Sequence, residues 1–347
     1  SRCRGWPPGR GEPGVTLIEG VESSFGPIVV VFLAAAGVAL LLTPLVRRLV
    51  LRHGVVDHPD ARRVNVTSIP RSGGLAVAAA FLSVAALFVY LNESAAWVPV
   101  PLTLSSPDLI ALFVGGAAAA AIGAVDDLFD LRARWQLAGQ LLLASFAVGL
   151  GVVIEFIANP FGAGVIRFDG AFALGFSIFW IVGMMNSINW IDGLDGLSSG
   201  VALIACVTLG LLSLTTQVGQ PMIAVLCFAL AGALLGFLRW NFHPATIFIG
   251  TSGVQFVGFT LAVLSILGTA KVAVALLVLG VPILDTFWII IRRLMEGRSP
   301  FSPDRSHIHH RLLDLGLSHR HTVLVIYAIC ASLGLIALLL SQVTQLY

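Results

Sequence analysis

Apolar residues run along this chain in long blocks, and polar residues collect in the gaps between them. Ten blocks can be marked: 25–46, 73–91, 107–125, 136–154, 171–188, 197–215, 221–238, 253–270, 272–291 and 322–341. Each is close to the roughly 20 residues that a helix needs to cross a hydrocarbon core of about 30 Å. The pattern predicts an all-α integral membrane protein of about ten transmembrane helices. The gaps are short except the one after the ninth block, and no internal repeat or separate soluble domain is visible. Residues 1–24, rich in Gly, Pro and Arg, are expected to be a disordered tail, and 25–347 a single polytopic membrane domain. The run Gly115–Ala121 is all Gly and Ala, which permits close helix packing.

Composition supports the pattern. The chain is 57% hydrophobic and 11% charged, where soluble domains carry about 25% charged residues. That excludes a soluble globular class, and no nucleic-acid partner is expected. Four cysteines, Cys3, Cys206, Cys227 and Cys330, form no C-x-x-C pair, so neither a disulfide framework nor a cysteine-held zinc is expected.

Charge then orients the chain. With the N-terminus outside, all but five of the 20 Lys and Arg (Arg2, Arg4, Arg10, Arg167 and Lys271) fall inside, as the positive-inside rule requires. Ten spans put both termini outside. All eight histidines and both acidic motifs then lie inside as well. This sidedness predicts a cytoplasm-facing active-site cleft. Scattered polar residues also avoid lipid for bland reasons, but that does not explain why the outer loops lack such clusters.

The motifs carry the candidate chemistry. In DDLFDLRAR (126–134), Asp126 and Asp130 share a helix face and Asp127 lies about 100° round. Such adjacent carboxylates call for a cation or an arginine to neutralise them. In NSINWIDGLDGLSSG (186–200), Asn186, Asn189, Asp192 and Asp195 recur every three residues. Oxygen-only donors suit Mg²⁺ or Mn²⁺, which bind substrate phosphates; the bland alternative is a Gly-rich turn with an Asx cap. In SPDRSHIHHRLLDLG (302–316), His307, His309 and His310 stand beside Arg305 and Arg311. Their spacing is poor for zinc and better suited to a nucleotide diphosphate, with a merely basic juxtamembrane loop as the alternative. Arg71, in the Gly-rich turn of 57–74, could touch phosphate or headgroups. The Gly-rich segment 241–253 could expose backbone N–H groups to an anion. Asp285, within the ninth block, has no evident role beyond pairing with an arginine such as Arg292.

Taken together and in this order, from about residue 40 to residue 320, these segments resemble the polyprenyl-phosphate N-acetylhexosamine-1-phosphate transferases, glycosyltransferase family 4. The H-I-H-H form is similar to the branch that starts O-antigen and teichoic-acid-linkage synthesis. The resemblance implies transfer of a sugar 1-phosphate, GlcNAc-1-phosphate before other N-acetylhexosamines, from a UDP-sugar to undecaprenyl phosphate with release of UMP. It implies Mg²⁺, with Mn²⁺ as the alternative, membrane lipid as surroundings, a bacterial cytoplasmic membrane as location and a possible homodimer. It places Asp126, Asp127 and Asp192 in catalysis. It places Asn186, Asn189, Asp195, Arg305, His307, His309, His310 and Arg71 on substrate, and Asn189, Asp192 and Thr251 at the metal. Three positions depart from the family pattern. Thr251 stands where an Asp ligand is usual, Gln136 where a basic residue follows the acidic pair, and Asn65 where His is frequent. Thr251 keeps open the alternative of a catalytically impaired homologue that binds lipid phosphate or a partner protein. A transporter with midplane carboxylates fits less well, because the acids gather at one face.

Overall fold

The computed structural model describes residues 15–57, 68–98, 103–158, 165–215, 218–268, 272–297 and 307–343. The helices are α1 (Val15–Arg52), α2 (Gly74–Ala95), α3 (Pro107–Phe129), α4 (Ala133–Gly149), α5 (Gly170–Ile191), α6 (Leu197–Ser213), α7 (Pro221–Asn241), α8 (Gly250–Leu267), α9 (Val272–Val278), α10 (Gly280–Met295), α11 (Ile308–Asp314) and α12 (His319–Val343). Two short antiparallel hairpins complete the described elements: β1 (Val56–Asp57) with β2 (Ile69–Pro70), and β3 (Phe156–Ala158) with β4 (Val165–Arg167). The protein is an all-α membrane bundle. Seven helices, α1, α2, α3, α5, α7, α8 and α12, are long and apolar enough to cross a membrane. The remaining three apolar blocks fall on α4 and α6, of 17 residues each, and on α9 and α10, which are separated at Leu279. The first helix starts at Val15, inside the segment expected to be a tail.

Two helices form the centre. Residues of α7 and α8 are mostly buried by protein, whereas α1 and α12 leave most of their surface to the surroundings. α7 packs against α1, α2 and α6, and α8 against α2, α3 and α5. Lipid supplies no hydrophobic drive between helices, so contact rests on close backbone approach and polar links. Gly232 and Gly236 of α7 lie against the backbone of Phe32 and Ala36 in α1. The Gly115–Ala121 run does place its glycines on α8: a Cβ on Gly115 would meet the Phe259 ring, and one on Gly116 the Phe256 ring. Phe81, Phe113 and Phe256 then interlock α2, α3 and α8, with centroids 5.8 Å apart for Phe81–Phe256.

Buried polar side chains act as cross-links. Gln140 of α4 and Asn186 of α5 exchange amide hydrogen bonds of 2.7 and 3.4 Å, and Gln140 Nε2 also donates to Gln255 Oε1 of α8 at 3.2 Å. Trp180 Nε1 donates to Ser265 Oγ at 3.0 Å, tying α5 to α8 again. At the end of the bundle bearing the acidic motifs, 70–74 is zipped to the segment before α8. Phe248 N–H donates to Pro70 O, Gly73 N–H to Phe248 O and Gly74 N–H to Ile249 O, each at 2.8 Å.

At Gly123, α3 meets the backbone of α8, and a Cβ there would stand 2.5 Å from Ser252 Cα. Gly123→Leu should therefore lower the melting temperature of the purified protein in detergent, since overpacking costs about 1–3 kcal/mol and rigid backbone raises that. Gly175→Leu, at a position with open space around it, serves as the control. Equal melting of the two variants would contradict this packing.

Candidate active site

Six chain segments converge at one end of the bundle: β1 after α1, the turn before α2, the C-terminus of α3, the α5–α6 loop, the α7–α8 loop with the start of α8, and α11 with the start of α12. They surround a cavity of about 330 Å³ lined by Asp57, Arg71, Asp127, Asn189, Asp192, Gly193, Leu194, Asp195, Asn241, Phe248, Gly250, Thr251, His310 and His319. Four carboxylates, a guanidinium and two imidazoles share this one small space in an apolar chain.

Asp127 is its best-held group. The side chain is buried, and three donors converge on it. Thr251 N–H reaches Oδ1 at 2.8 Å, Ser252 N–H reaches Oδ2 at 3.0 Å, and Ser72 Oγ reaches Oδ2 at 2.8 Å. Two of these donors are in the first turn of α8, whose N–H groups have no intrahelical partner. Asp127 of α3 thus caps α8 from outside, where the helix dipole favours a negative charge. Gly250 adopts φ +70°, and a Cβ there would stand 2.7 Å from Asp127 Oδ2, so a larger residue is excluded by both backbone and space.

The other member of the acidic pair points elsewhere. Asp126 Oδ1 accepts Leu131 N–H at 2.9 Å and Gln136 Nε2 at 2.8 Å, and Asp126 does not line the cavity. Gln136 therefore meets Asp126 with a neutral amide. Arg71 reaches across this turn: its Nη2 donates to Asp127 O at 2.6 Å and to Asp130 Oδ1 at 2.7 Å.

On the facing wall, Asp192 ends α5 beside Asn189. Ser198 Oγ donates to Asp192 Oδ1 at 2.6 Å. Burial pushes Asp192 up to about 7; the Ser198 bond opposes this, and the charges of Asp127 and Asp195 add to it. Asn186 is not at the cavity. Its amide is used within the bundle by Gln140 and by Val182 O at 2.8 Å.

The three histidines of the H-x-H-H segment separate in space. His310 lines the cavity. His309 is buried and packs on Gly193, where a Cβ would stand 2.8 Å from its Cε1. Burial, then His310, His307 and His319, pulls His309 down to about 3, so it is a neutral ring. His307 stands behind it, ring planes within 9° and centroids 5.5 Å apart. Its Nδ1 pairs with Asp285 Oδ2 at 2.8 Å, and Ile308 N–H donates to Asp285 Oδ1 at 3.0 Å. Asp285 thus anchors the start of α11, while Arg292 pairs with Glu296 instead. Arg305 and Asn65 lie outside the described residues.

Two histidines that motif reading left unassigned join Asp195. His243 Nδ1 stands 2.7 Å from Asp195 Oδ2, and Asp195 N–H donates to His319 Nε2 at 2.9 Å. The two rings stack with centroids 4.1 Å apart. Among the described residues these three alone bring metal-capable Asp and His donor atoms within 4.8 Å of one another. The only signal for them in the sequence was their position on the inner side.

A hard cation fits a different set. Asp127, Asn189 and Asp192 offer oxygen donors to one cavity, and Asp192 is a half-buried acid whose ionisation Asp127 opposes. A divalent cation would offset that repulsion, and all-oxygen donors suit Mg²⁺ or Mn²⁺. Thr251 lines the same cavity with a neutral hydroxyl.

Comparison with known proteins identifies relatives of the chain. The profile described as Glycosyl transferase family 4 matches residues 109–269. A probable undecaprenyl-phosphate N-acetylglucosaminyl 1-phosphate transferase of Bacillus subtilis is 37% identical over 91% of this chain and 86% of its own length. A decaprenyl-phosphate N-acetylglucosaminephosphotransferase of Mycobacterium tuberculosis is 37% identical over 86% of this chain and 79% of its own. An undecaprenyl-phosphate alpha-N-acetylglucosaminyl 1-phosphate transferase of Yersinia pestis is 29% identical over 86% of this chain and 80% of its own.

The seat of His309 on Gly193 gives a direct test. Gly193→Val should displace the ring and speed amide exchange over Ile308–Asp314, leaving the middle of α8 unchanged. Wild-type exchange in that segment would contradict the contact.

Proposed function

The chain belongs to glycosyl transferase family 4, and on that premise we propose that it transfers N-acetylglucosamine 1-phosphate from a UDP-sugar to a polyprenyl phosphate such as undecaprenyl phosphate. A phosphate oxygen of the lipid forms a bond to the sugar-bearing phosphorus, the bond from that phosphorus to the UMP oxygen breaks, and UMP leaves. The observation that carries this reading is the meeting of Asp127, Asn189 and Asp192 with Arg71 and His310 around one polar cavity.

The protein's task in such a transfer is positioning and charge stabilisation. Mg²⁺, when bound by Asp127, Asn189 and Asp192, would supply charge neutralisation for the diphosphate. Arg71 lines the cavity while Asp130 and the Asp127 carbonyl both hold its Nη2. It is suited to a phosphate oxygen. His310 offers a second phosphate contact, and Arg305 is assigned with it to the donor, while His307, paired with Asp285, holds the start of α11 behind them. Asp195 and its neighbours Gly193 and Leu194 form the wall against which the donor lies. Asp127 is assigned the reacting role of the acidic pair. Asp126 supports it by fixing the turn after α3. Asn186 supports Asn189 from within α5 through its amide link to Gln140.

The same reading sets the surroundings. The ten apolar blocks are ten crossings, with α9 and α10 forming one of them, and the cavity opens to the cytoplasm of a bacterial cell. A polyprenyl phosphate then arrives from the membrane and the nucleotide sugar from solution. Thr251 favours one second reading: a homologue of weakened metal affinity that keeps lipid-phosphate binding.

Purified protein given undecaprenyl phosphate and UDP-GlcNAc should release UMP with Mg²⁺ and release none with EDTA. Absence of UMP with UDP-GlcNAc and with other UDP-N-acetylhexosamines, alongside retained lipid-phosphate binding, would establish the second reading instead. Thr251→Asp should lower the Mg²⁺ concentration for half-maximal rate, since it adds a carboxylate to the donor set. An unchanged requirement would place residue 251 outside the metal's reach.

A further inference from the structure

His243 and His319 lie on different segments, the α7–α8 loop and the first residue of α12, yet both act on Asp195. The roles of their nitrogens follow from their partners. Asp195 N–H is a donor, so His319 Nε2 must accept, and the ring carries its proton on Nδ1. Asp195 Oδ2 accepts from Ala245 N–H at 3.0 Å and from His243, so His243 carries its proton on Nδ1. The two rings stack nearly flat, planes 20° apart. Arg320 Nε donates to His243 O at 3.2 Å, closing the link between α12 and the α7–α8 loop. About two helical turns further along α12, Tyr327 Oη donates to Gly196 O. The D-G-x-D-G loop is thus held by α12 at two points, its Asp195 amide and its Gly196 carbonyl.

We propose that His243 and His319 are positioning residues, a stacked pair that fixes the backbone and carboxylate of Asp195 against the cavity wall that receives the UDP-sugar. The location of that donor wall rests on the proposed function. Each ring directs one nitrogen at Asp195, one at its backbone N–H and one at its carboxylate, which is the geometry of a clamp. The His319 lone pair receives a backbone N–H, and His243 Nδ1 bears the proton shared with Asp195. The pair also explains why three separate segments close on one loop. Asp195 sits between two glycines, Gly193 and Gly196, which leave its backbone with little restraint of its own.

The test replaces each ring by alanine and by the amide that keeps its active atom. His319→Gln retains an acceptor near Nε2, and His243→Asn a donor near Nδ1. In full-length protein, His319→Ala should speed amide exchange in the 192–197 loop on the order of tenfold, and His319→Gln should recover most of the protection. In the UMP-release assay, His319→Ala and His243→Ala should raise KM for UDP-GlcNAc by about tenfold with kcat and the lipid KM little changed. The amide variants should recover most of that loss. Wild-type exchange in His319→Ala would overturn the clamp, as would a fall in kcat with unmoved donor KM. A Zn²⁺- or Mn²⁺-dependent rise in melting temperature, lost in both alanine variants, would replace it with a metal site. The exchange measurement does not depend on turnover, so a failure of the assigned reaction in wild-type protein is seen separately from a failure of the clamp.

Discussion

The structure depends on one carboxylate. Asp127, at the end of α3, accepts the first free N–H groups of α8 and the hydroxyl of Ser72. A hydrogen bond to a charged group contributes about 1.5–3 kcal/mol, and a buried N–H left without a partner costs about 1–3 kcal/mol. The start of a central helix, the end of α3 and the turn before α2 are therefore fixed by the same side chain that faces the cavity. Gly123 lets α3 come close enough for this, and Gly250 leaves room for the carboxylate. Fold and site share their most consequential contact.

The opposite wall is built on weaker terms. Asp192 is half-buried with Ser198 as partner, and desolvation together with neighbouring carboxylates raises it towards neutrality. Such a group is poorly placed for stability alone, since burying a charge without compensation is costly. Its placement makes sense around a cation, and the oxygen donors of Asp127 and Asn189 stand on the same cavity. Thr251 brings a hydroxyl where the family pattern has a carboxylate, so the cavity carries one negative charge fewer. Its backbone N–H nonetheless keeps the contact with Asp127 that α8 requires.

Much of this was legible in the apolar blocks and the acidic motifs. Each block overlaps a helix among the described residues, though the fourth runs five residues past the end of α4, and Asp127, Asn189, Asp192, Asp195, Arg71 and His310 meet at one cavity. What could not be read was direction. Asp126 and Asp127 are adjacent, and the packing of α3 on α8 turns Asp127 to the cavity while Asp126 meets Leu131 and Gln136. Asn186 continues the three-residue spacing of its motif, but one turn deeper in the bundle it meets Gln140 instead. Long-range pairings were equally hidden. Asp285 and His307 are separated by the loop after α10, and Asp195, His243 and His319 come from three segments. No local period encodes such meetings; they arise from helix packing.

The central claim is that the Asp127 charge serves both the start of α8 and the reaction. The most direct measurement is UMP turnover by purified Asp127→Asn protein, with melting temperature followed on the same sample. The account predicts a folded protein whose turnover falls on the order of 10²-fold or more, because a fixed charge at the reacting phosphates is lost. Near wild-type turnover in a folded variant would contradict it.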